Sequence, residues 1–318
     1  MERGPKKQLK DLNLMDRFLF AEVMEDTGAY QSALEIILDK EISLKENVQS
    51  EKEVRTLPSF RGIRLDVWGE DEEDTVYNSE MQGENTKNLP RRSRFYQSVM
   101  DAGLLKPGVV DFNTLKDVWL ITIAPFDVFG EGRFRYTFRM RCDESPELRL
   151  GDGAVRMFLN TRGKIKEGIS EELQAFLRYV EDSKEDVIEA CGSERLKKIH
   201  EQVSRVKSNE VSEVKYMQFW EEMVMERQQG EALGLKKGEA LGLKKGEALG
   251  LKRGETLGLK KGETVKIISL VRKKQLKGMD AEAIADALEE NPEFVKRIMD
   301  ALRSEPEAAD EEVFEKIK

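Results

Sequence analysis

The stretch Arg64-Leu-Asp-Val-Trp-Gly-Glu-Asp-Glu-Glu-Asp-Thr-Val-Tyr-Asn-Ser-Glu-Met-Gln82 decides how this chain is read. Two runs rich in β-branched and aromatic residues flank an acidic, turn-like segment, the pattern of a β-hairpin. Strand alternation puts Ile63, Leu65 and Val67 on one face and Arg64, Asp66 and Trp68 on the other. Glu80 and Gln82, two residues apart, share a face in the second strand. A five-residue turn over Asp71 to Thr75 pairs residue 70 with residue 76 and carries Asp66 opposite Glu80. Their Cβ atoms then lie roughly 5 Å apart.

Like charges directly opposed on a sheet are destabilising, and a divalent cation between them removes the conflict. Two carboxylates, a backbone carbonyl and several waters suit Mg²⁺, with Mn²⁺ as the second candidate. Such an ion activates water and offsets charge building on a phosphodiester. Gln82 is placed on the same face to hold that water or the phosphate. Spacing alone also fits two solvated acids on the open side of an amphipathic hairpin. The run Glu70 to Asp74 reads as a solvated turn, one that would repel DNA brought near it.

Working outward, a helix opens at about Arg91 and runs to about Leu105. Its start, Leu89-Pro90-Arg91-Arg92-Ser93-Arg94-Phe95-Tyr96, sets Arg91, Arg92 and Arg94 against the positive end of the helix dipole. An arginine cluster there suits phosphate, or it pairs with the acidic turn. The apolar run Val118 to Ala124 reads as a central strand covered on both faces. Upstream, residues 12 to 40 show two amphipathic helices, and Ile42 to Val48 reads as a further strand. Downstream, Arg133 to Arg141 and Ala154 to Asn160 read as β-structure, with Gly151-Asp152-Gly153 as turn chemistry before the second. The order of helices, three strands, helix and strand predicts a mixed α/β sheet covered by helices.

Composition narrows the function classes. The 318 residues carry a net charge of −9, so any contact with DNA depends on local basic patches. Cys142 and Cys191 form no CxxC pair and read as reduced, partly buried thiols. His200 is the chain's single histidine and reads as a solvated bystander in an exposed helix. That leaves no His-rich metal site and no Ser-His-Asp relay. The start, MERGPKKQLKDLN, lacks an apolar segment and no run is long enough to span a membrane, which predicts a cytoplasmic protein without membrane contact.

Taken in order, DLNLMDRFLFAEVM from Leu12 onward, RLDVWGEDEEDTVYNSEMQ, NLPRRSRFYQSVMD, DVWLITIAPFD, YTFRM and DGAVRMFLN resemble the recombination-promoting nucleases and transposases of the Rpn type. These belong to the PD-(D/E)-x-K nuclease superfamily, and the resemblance runs to about Asp182. It implies an α/β, restriction-endonuclease-like core of helix, three strands, helix and strand. It also implies metal-dependent DNA cleavage of low sequence specificity, linked to recombination or transposition. Position by position, Asp66 matches the motif's metal-binding aspartate and Glu80 its second acid, and Gln82 stands where the superfamily has lysine. Arg94 and Tyr96 match the arginine and aromatic that open the following helix. Leu65 replaces the proline of the motif, and Gln82 removes a positive charge near the reacting phosphate. Asp16 is a further residue that could lean toward the site.

The C-terminal half reads differently. Residues 166–229 form a charged helical extension after a catalytic domain over 1–165. The octad GEALGLKK begins at Gly230 and recurs at 238, 246 and 254 with small changes. Eight residues turn an α-helix through about 800°, so its leucines drift and make no heptad seam. Two glycines per octad each cost about 1 kcal/mol of helix stability. Residues 230–263, with eight Lys and Arg against five Glu, therefore read as a marginal helix or spacer. A small helical module over 264–303 offers either self-association or a helix-turn-helix, and 304–318 reads as an acidic tail. The alternative to a nuclease is a fold that lost catalysis and acts as a DNA-binding or self-associating scaffold, a homo-oligomer through this half.

Overall fold

The computed structural model describes residues 7–55 and 62–318; the first six residues, part of the non-apolar start, lie outside them. Asp16 opens α1 (Arg17–Met24) by accepting hydrogen bonds from the Phe18 and Leu19 N–H groups, donors that a first helical turn leaves unpaired. Asp26 caps α2 (Thr27–Leu38) through Ala29 N–H. Leu12 and Leu14 precede α1 rather than lie in it, yet both are buried. There follow β1 (Gln49–Val54), β2 (Ile63–Glu70), β3 (Val76–Met81), α3 (Leu89–Leu104), β4 (Val118–Ala124), β5 (Arg135–Phe138) and β6 (Ala154–Asn160). They form one six-stranded sheet in the order β1-β2-β3-β4-β6-β5. β4 runs parallel to both β3 and β6, and the remaining pairs are antiparallel. The sheet is mixed and flanked by helices, as the sequence predicts.

The strand expected over Ile42 to Val48 does not form. Only Leu44 bridges, to Asp71, while Ile42 and Leu44 anchor the segment in the core. The strand starts instead at Gln49, in the charged run QSEKEV. As an edge strand it pairs on one side only and needs no apolar alternation, which is why its sequence did not announce it.

The hairpin register is the expected one: Glu70 pairs with Val76, Gly69 with Tyr77, Trp68 with Asn78 and Val67 with Ser79. The expected facing is not kept along all of β2. Val67 enters the larger core with Tyr77 and Met81, whereas Ile63 and Leu65 join Trp68 in the cluster beneath α3. Alternation therefore breaks at Asp66. Across from it on β1, between the pairs Ser50↔Val67 and Lys52↔Leu65, Glu51 adopts the left-handed φ of 50°. Non-glycine residues rarely hold that conformation, and tertiary contacts must impose it.

The acidic turn is solvated only in part: Glu72, Glu73 and Asp74 are exposed, whereas Glu70 and Asp71 are buried. Asp71 is buried, and its Oδ1 accepts from the Glu73 and Thr75 N–H groups while Oδ2 accepts from the Tyr77 hydroxyl. Lys45 and Lys116 each reach both Glu70 and Asp74, at 2.5 to 3.3 Å. Two cations thus neutralise the pair, and Asp71 shapes the loop as an internal cap.

On one face of the sheet, Val67, Tyr77, Ile121, Ile123, Met157 and Leu159 pack against α1, α2, α4 (Glu171–Glu181) and α6 (Glu194–Lys207), with α5 (Glu185–Cys191) adding Ile188. On the other, α3 covers Leu65, Trp68, Val76, Val118 and Leu120 through Val99 and Met100. His200 is half-buried rather than solvated, its Nδ1 2.8 Å from the Tyr179 hydroxyl. Both cysteines are free and half-buried.

Two compact units divide the chain, residues 1–225 and 226–318. The octads form no irregular spacer: they lie inside one uninterrupted helix, α7 (Glu210–Gln275). In the second unit, Ile268 and Val271 of α7 form a core with α8 (Ala281–Leu288), α9 (Pro292–Ser304) and α10 (Asp310–Ile317). The acidic C-terminal stretch is thus helical, and its Val313 and Ile317 are buried. Among the described residues no helix is long and apolar enough to cross a membrane.

Candidate active site

The ladder between β2 and β3 stops at Val67↔Ser79, one step before the two acids. Beyond it, side chains replace the backbone pairing. Asp66 N–H donates to Glu80 Oε1 at 3.2 Å, and Met81 N–H donates to Asp66 Oδ2 at 3.0 Å. Each carboxylate is thereby held by the other strand's main chain. Asn78, two residues before Glu80 on the same face and fully buried, donates through Nδ2 to Glu80 Oε1 at 3.1 Å. Asp66 is 3% and Glu80 8% exposed, so neither is a solvated acid on an open face of the hairpin.

Burying two acids side by side is costly unless something compensates. Burial, and then the neighbouring Asp66 charge, pushes the Glu80 carboxyl up to about 8. Burial also raises Asp66, against the pull of the Arg17 guanidinium. Arg17 is the first compensation. Its Nε lies 2.7 Å from Asp66 Oδ1, and its Nη2 donates to Glu51 Oε2 at 2.9 Å. Arg64 Nε also reaches Glu51 Oε2, at 2.9 Å.

Asp66, Glu80 and Gln82 open into one cavity of about 660 Å³, lined also by Arg17, Arg64, Arg91, Arg92 and Tyr96. Four arginines around two acids make a locally cationic rim on an acidic chain. α3 supplies two of them because it starts at Leu89, with Pro90 preset for its first turn. That start is two residues earlier than expected. Arg91 and Arg92 therefore sit beside the cavity, while Arg94 falls on the next turn, exposed and outside the lining. Gln82 is engaged at both ends: its Oε1 accepts from Arg92 Nη2 at 2.5 Å and its Nε2 donates to the Glu84 carbonyl at 2.6 Å. The Arg92 guanidinium also lies 5.6 Å from the Tyr96 ring centre. Asp16 does not lean toward this site; it caps α1 and lines a different pocket with Arg162 and Glu181.

Sequence reasoning missed Arg17, Glu51 and Asn78. Asn78 was within reach, since strand alternation places it beside Glu80. Arg17 and Glu51 carried no signal, one following a helix cap and the other in a polar edge strand.

Among the described residues no group of three His, Cys, Asp or Glu side chains is arranged to hold a metal ion. The donor set on hand is two carboxylates, both buried and lining the cavity. That set fits Mg²⁺, which keeps several of its own waters and is held by one or two carboxylates, better than it fits softer metals.

No curated protein and no solved structure matches the chain. A family model described as PD-(D/E)XK nuclease family transposase matches residues 15–226, a span that holds the whole sheet and every residue of the cavity. The chain belongs to the PD-(D/E)XK nuclease family of transposases, a family with a nuclease and transposition-related role whose members typically use divalent metals.

Proposed function

We propose that the protein is a Mg²⁺-dependent DNA endonuclease of low sequence specificity, acting in recombination or transposition, with Mn²⁺ able to replace Mg²⁺. The observation that carries this reading is the burial of Asp66 and Glu80 on adjacent strands lining a cavity that four arginines also line. Asp66 and Glu80 would hold the ion. A bound Mg²⁺ supplies Lewis acidity and a more acidic water at neutral pH. Arg91 and Arg92 bind the phosphodiester backbone from the first turn of α3, where fork-shaped donors match phosphate oxygens. Arg94, outside the cavity, contributes to DNA binding only through a flanking phosphate. Gln82 fixes Arg92, and its amide orients the attacking water or the phosphate. It offers a neutral hydrogen bond where the superfamily has an ammonium, which lowers the charge stabilisation at the reacting phosphate.

The test is nicking of supercoiled plasmid in Mg²⁺ by the wild type, Asp66→Ala and Glu80→Ala. Loss of nicking in both variants is expected. Equal nicking by all three proteins would remove the site assignment.

A second reading rests on the octads. Their eight leucines are 54–69% exposed along α7. This favours a self-associating role for the helical half, in a protein whose Gln82 weakens cleavage. A protein ending at Gln229 that keeps the oligomeric state of the full chain would rule it out.

A further inference from the structure

Both oxygens of Asp66 have a partner, one through a hydrogen bond and one through an ion pair in which Arg17 Nε makes no hydrogen bond. Oδ2 accepts from Met81 N–H at 3.0 Å, and Oδ1 faces Arg17 Nε at 2.7 Å. A cation held by Asp66 and Glu80 is best served by Oδ1, because Oδ2 already accepts a backbone hydrogen bond. Guanidinium and divalent ion cannot share that oxygen's approach: the ion sits at about 2.1 Å from its ligands and repels a second positive charge beside it. We propose that Arg17 is a built-in counter-cation that holds Asp66 until a divalent ion binds and is then handed over to Glu51, so that this exchange sets the metal affinity. The inference rests on the metal-site reading above.

The place that receives Arg17 is already built. Glu51 Oε2 accepts from Arg17 Nη2 at 2.9 Å, and its second oxygen, Oε1, is buried and has no hydrogen-bond partner. A small rotation of the guanidinium away from Asp66 turns this single contact into a two-pronged pair, the geometry arginine and carboxylate favour. Arg64, 2.9 Å from Glu51 Oε2, keeps the carboxylate in place during the exchange. Glu51, with its left-handed backbone, stands opposite Asp66 on β1, and its side chain reaches the same guanidinium. Arg17 is therefore a positioning residue: it acts through Asp66 and Glu51.

Mn²⁺ titrated into the full chain, with free ion followed by electron paramagnetic resonance, reads affinity without any turnover. Arg17→Gln is expected to bind Mn²⁺ about tenfold tighter than the wild type, a typical coupling between competing ligands. Arg92→Gln removes a charge from the same cavity without freeing Oδ1, and is expected to change affinity far less. Glu51→Gln is expected to weaken Mn²⁺ binding in the wild-type background and to have no effect once Arg17→Gln is present, a dependence that a double-mutant cycle isolates. Arg17→Lys, whose compact ammonium cannot bridge both acids, supplies an intermediate gain should Arg17→Gln fold poorly. Unchanged or weaker binding in both Arg17 variants overturns the proposal, as do equal gains from Arg17→Gln and Arg92→Gln. Asp66→Asn separates the two levels: if it binds Mn²⁺ as the wild type does, the metal site itself fails. If it loses binding while Arg17→Gln changes nothing, only the exchange fails.

Discussion

The hairpin of β2 and β3 and the octad segment of α7 are opposite solutions to the same problem of placing charged residues. Every residue of β3 is buried, and so is nearly all of β2, acids included. Every residue from 230 to 263 is exposed, and none of the octad glycines has a neighbouring atom within 4 Å of where a Cβ would stand. The hairpin therefore depends on tertiary compensation: Arg17 for Asp66, a retained proton for Glu80, and Lys45 and Lys116 for Glu70. The octads depend only on local helix energetics. The comparison teaches that charge density alone says nothing about burial; what decides is whether partners arrive from elsewhere in the fold.

Substitutions can break this contrast or sharpen it. The largest effect is expected from Ile121→Ala, which opens a cavity at a fully buried position of β4 and costs about 2 to 5 kcal/mol, against less than about 0.5 kcal/mol for the exposed Leu243→Ala. Chemical denaturation of both variants measures the difference, and equal losses would erase the contrast.

The next effect depends on pH. The folded-state value of Glu80, about 8, lies above its ordinary 4.5, so the folded chain binds the extra proton. The associated stability is fully present below about pH 4.5 and is lost as pH rises through about 8, at up to about 1.4 kcal/mol per pH unit. Glu80→Gln, which carries no charge at any pH, should therefore gain melting temperature over the wild type between pH 5 and pH 9 in metal-free buffer. Parallel curves would show that Glu80 is not strained by ionisation.

A smaller loss, about 1 to 3 kcal/mol, is expected from Asp71→Ala, which strands the buried Tyr77 hydroxyl and removes the acceptor of the Glu73 and Thr75 N–H groups. Its melting curve should shift down, whereas Glu72→Ala, exposed in the same turn, should leave it unchanged. The smallest effect, a local gain, belongs to Gly242→Ala. With open space around that position, it should add helicity by circular dichroism and stabilise α7 locally by up to about 1 kcal/mol.

Much of the site is legible in the sequence. The five-residue turn set the pairing of β2 with β3, and the run from Val118 to Ala124 announced a central strand. The facing of Ile63 and Leu65 was not legible, because alternation assumes an unbroken twist and the chain departs from it at Asp66. β1 was missed because an edge strand of QSEKEV carries no apolar rhythm. Arg94 lies outside the cavity because the helix begins at Leu89, which carries Arg94 onto the second turn.

By itself the sequence determined the local order: strand register from turn length, a helix opening close to Pro90, and glycine-spaced octads whose leucines cannot form a heptad seam. These depend on interactions among residues close along the chain, whose geometry the backbone largely dictates. Only the tertiary structure decided the charge state and the company of the acids. Arg17 and Glu51 come from α1 and β1, 49 and 15 positions before Asp66, and their approach depends on how helices and sheet pack. The cost of burying Asp66 and Glu80 is set by the same packing, because a carboxylate's energy depends on the atoms around it and not on its neighbours in sequence.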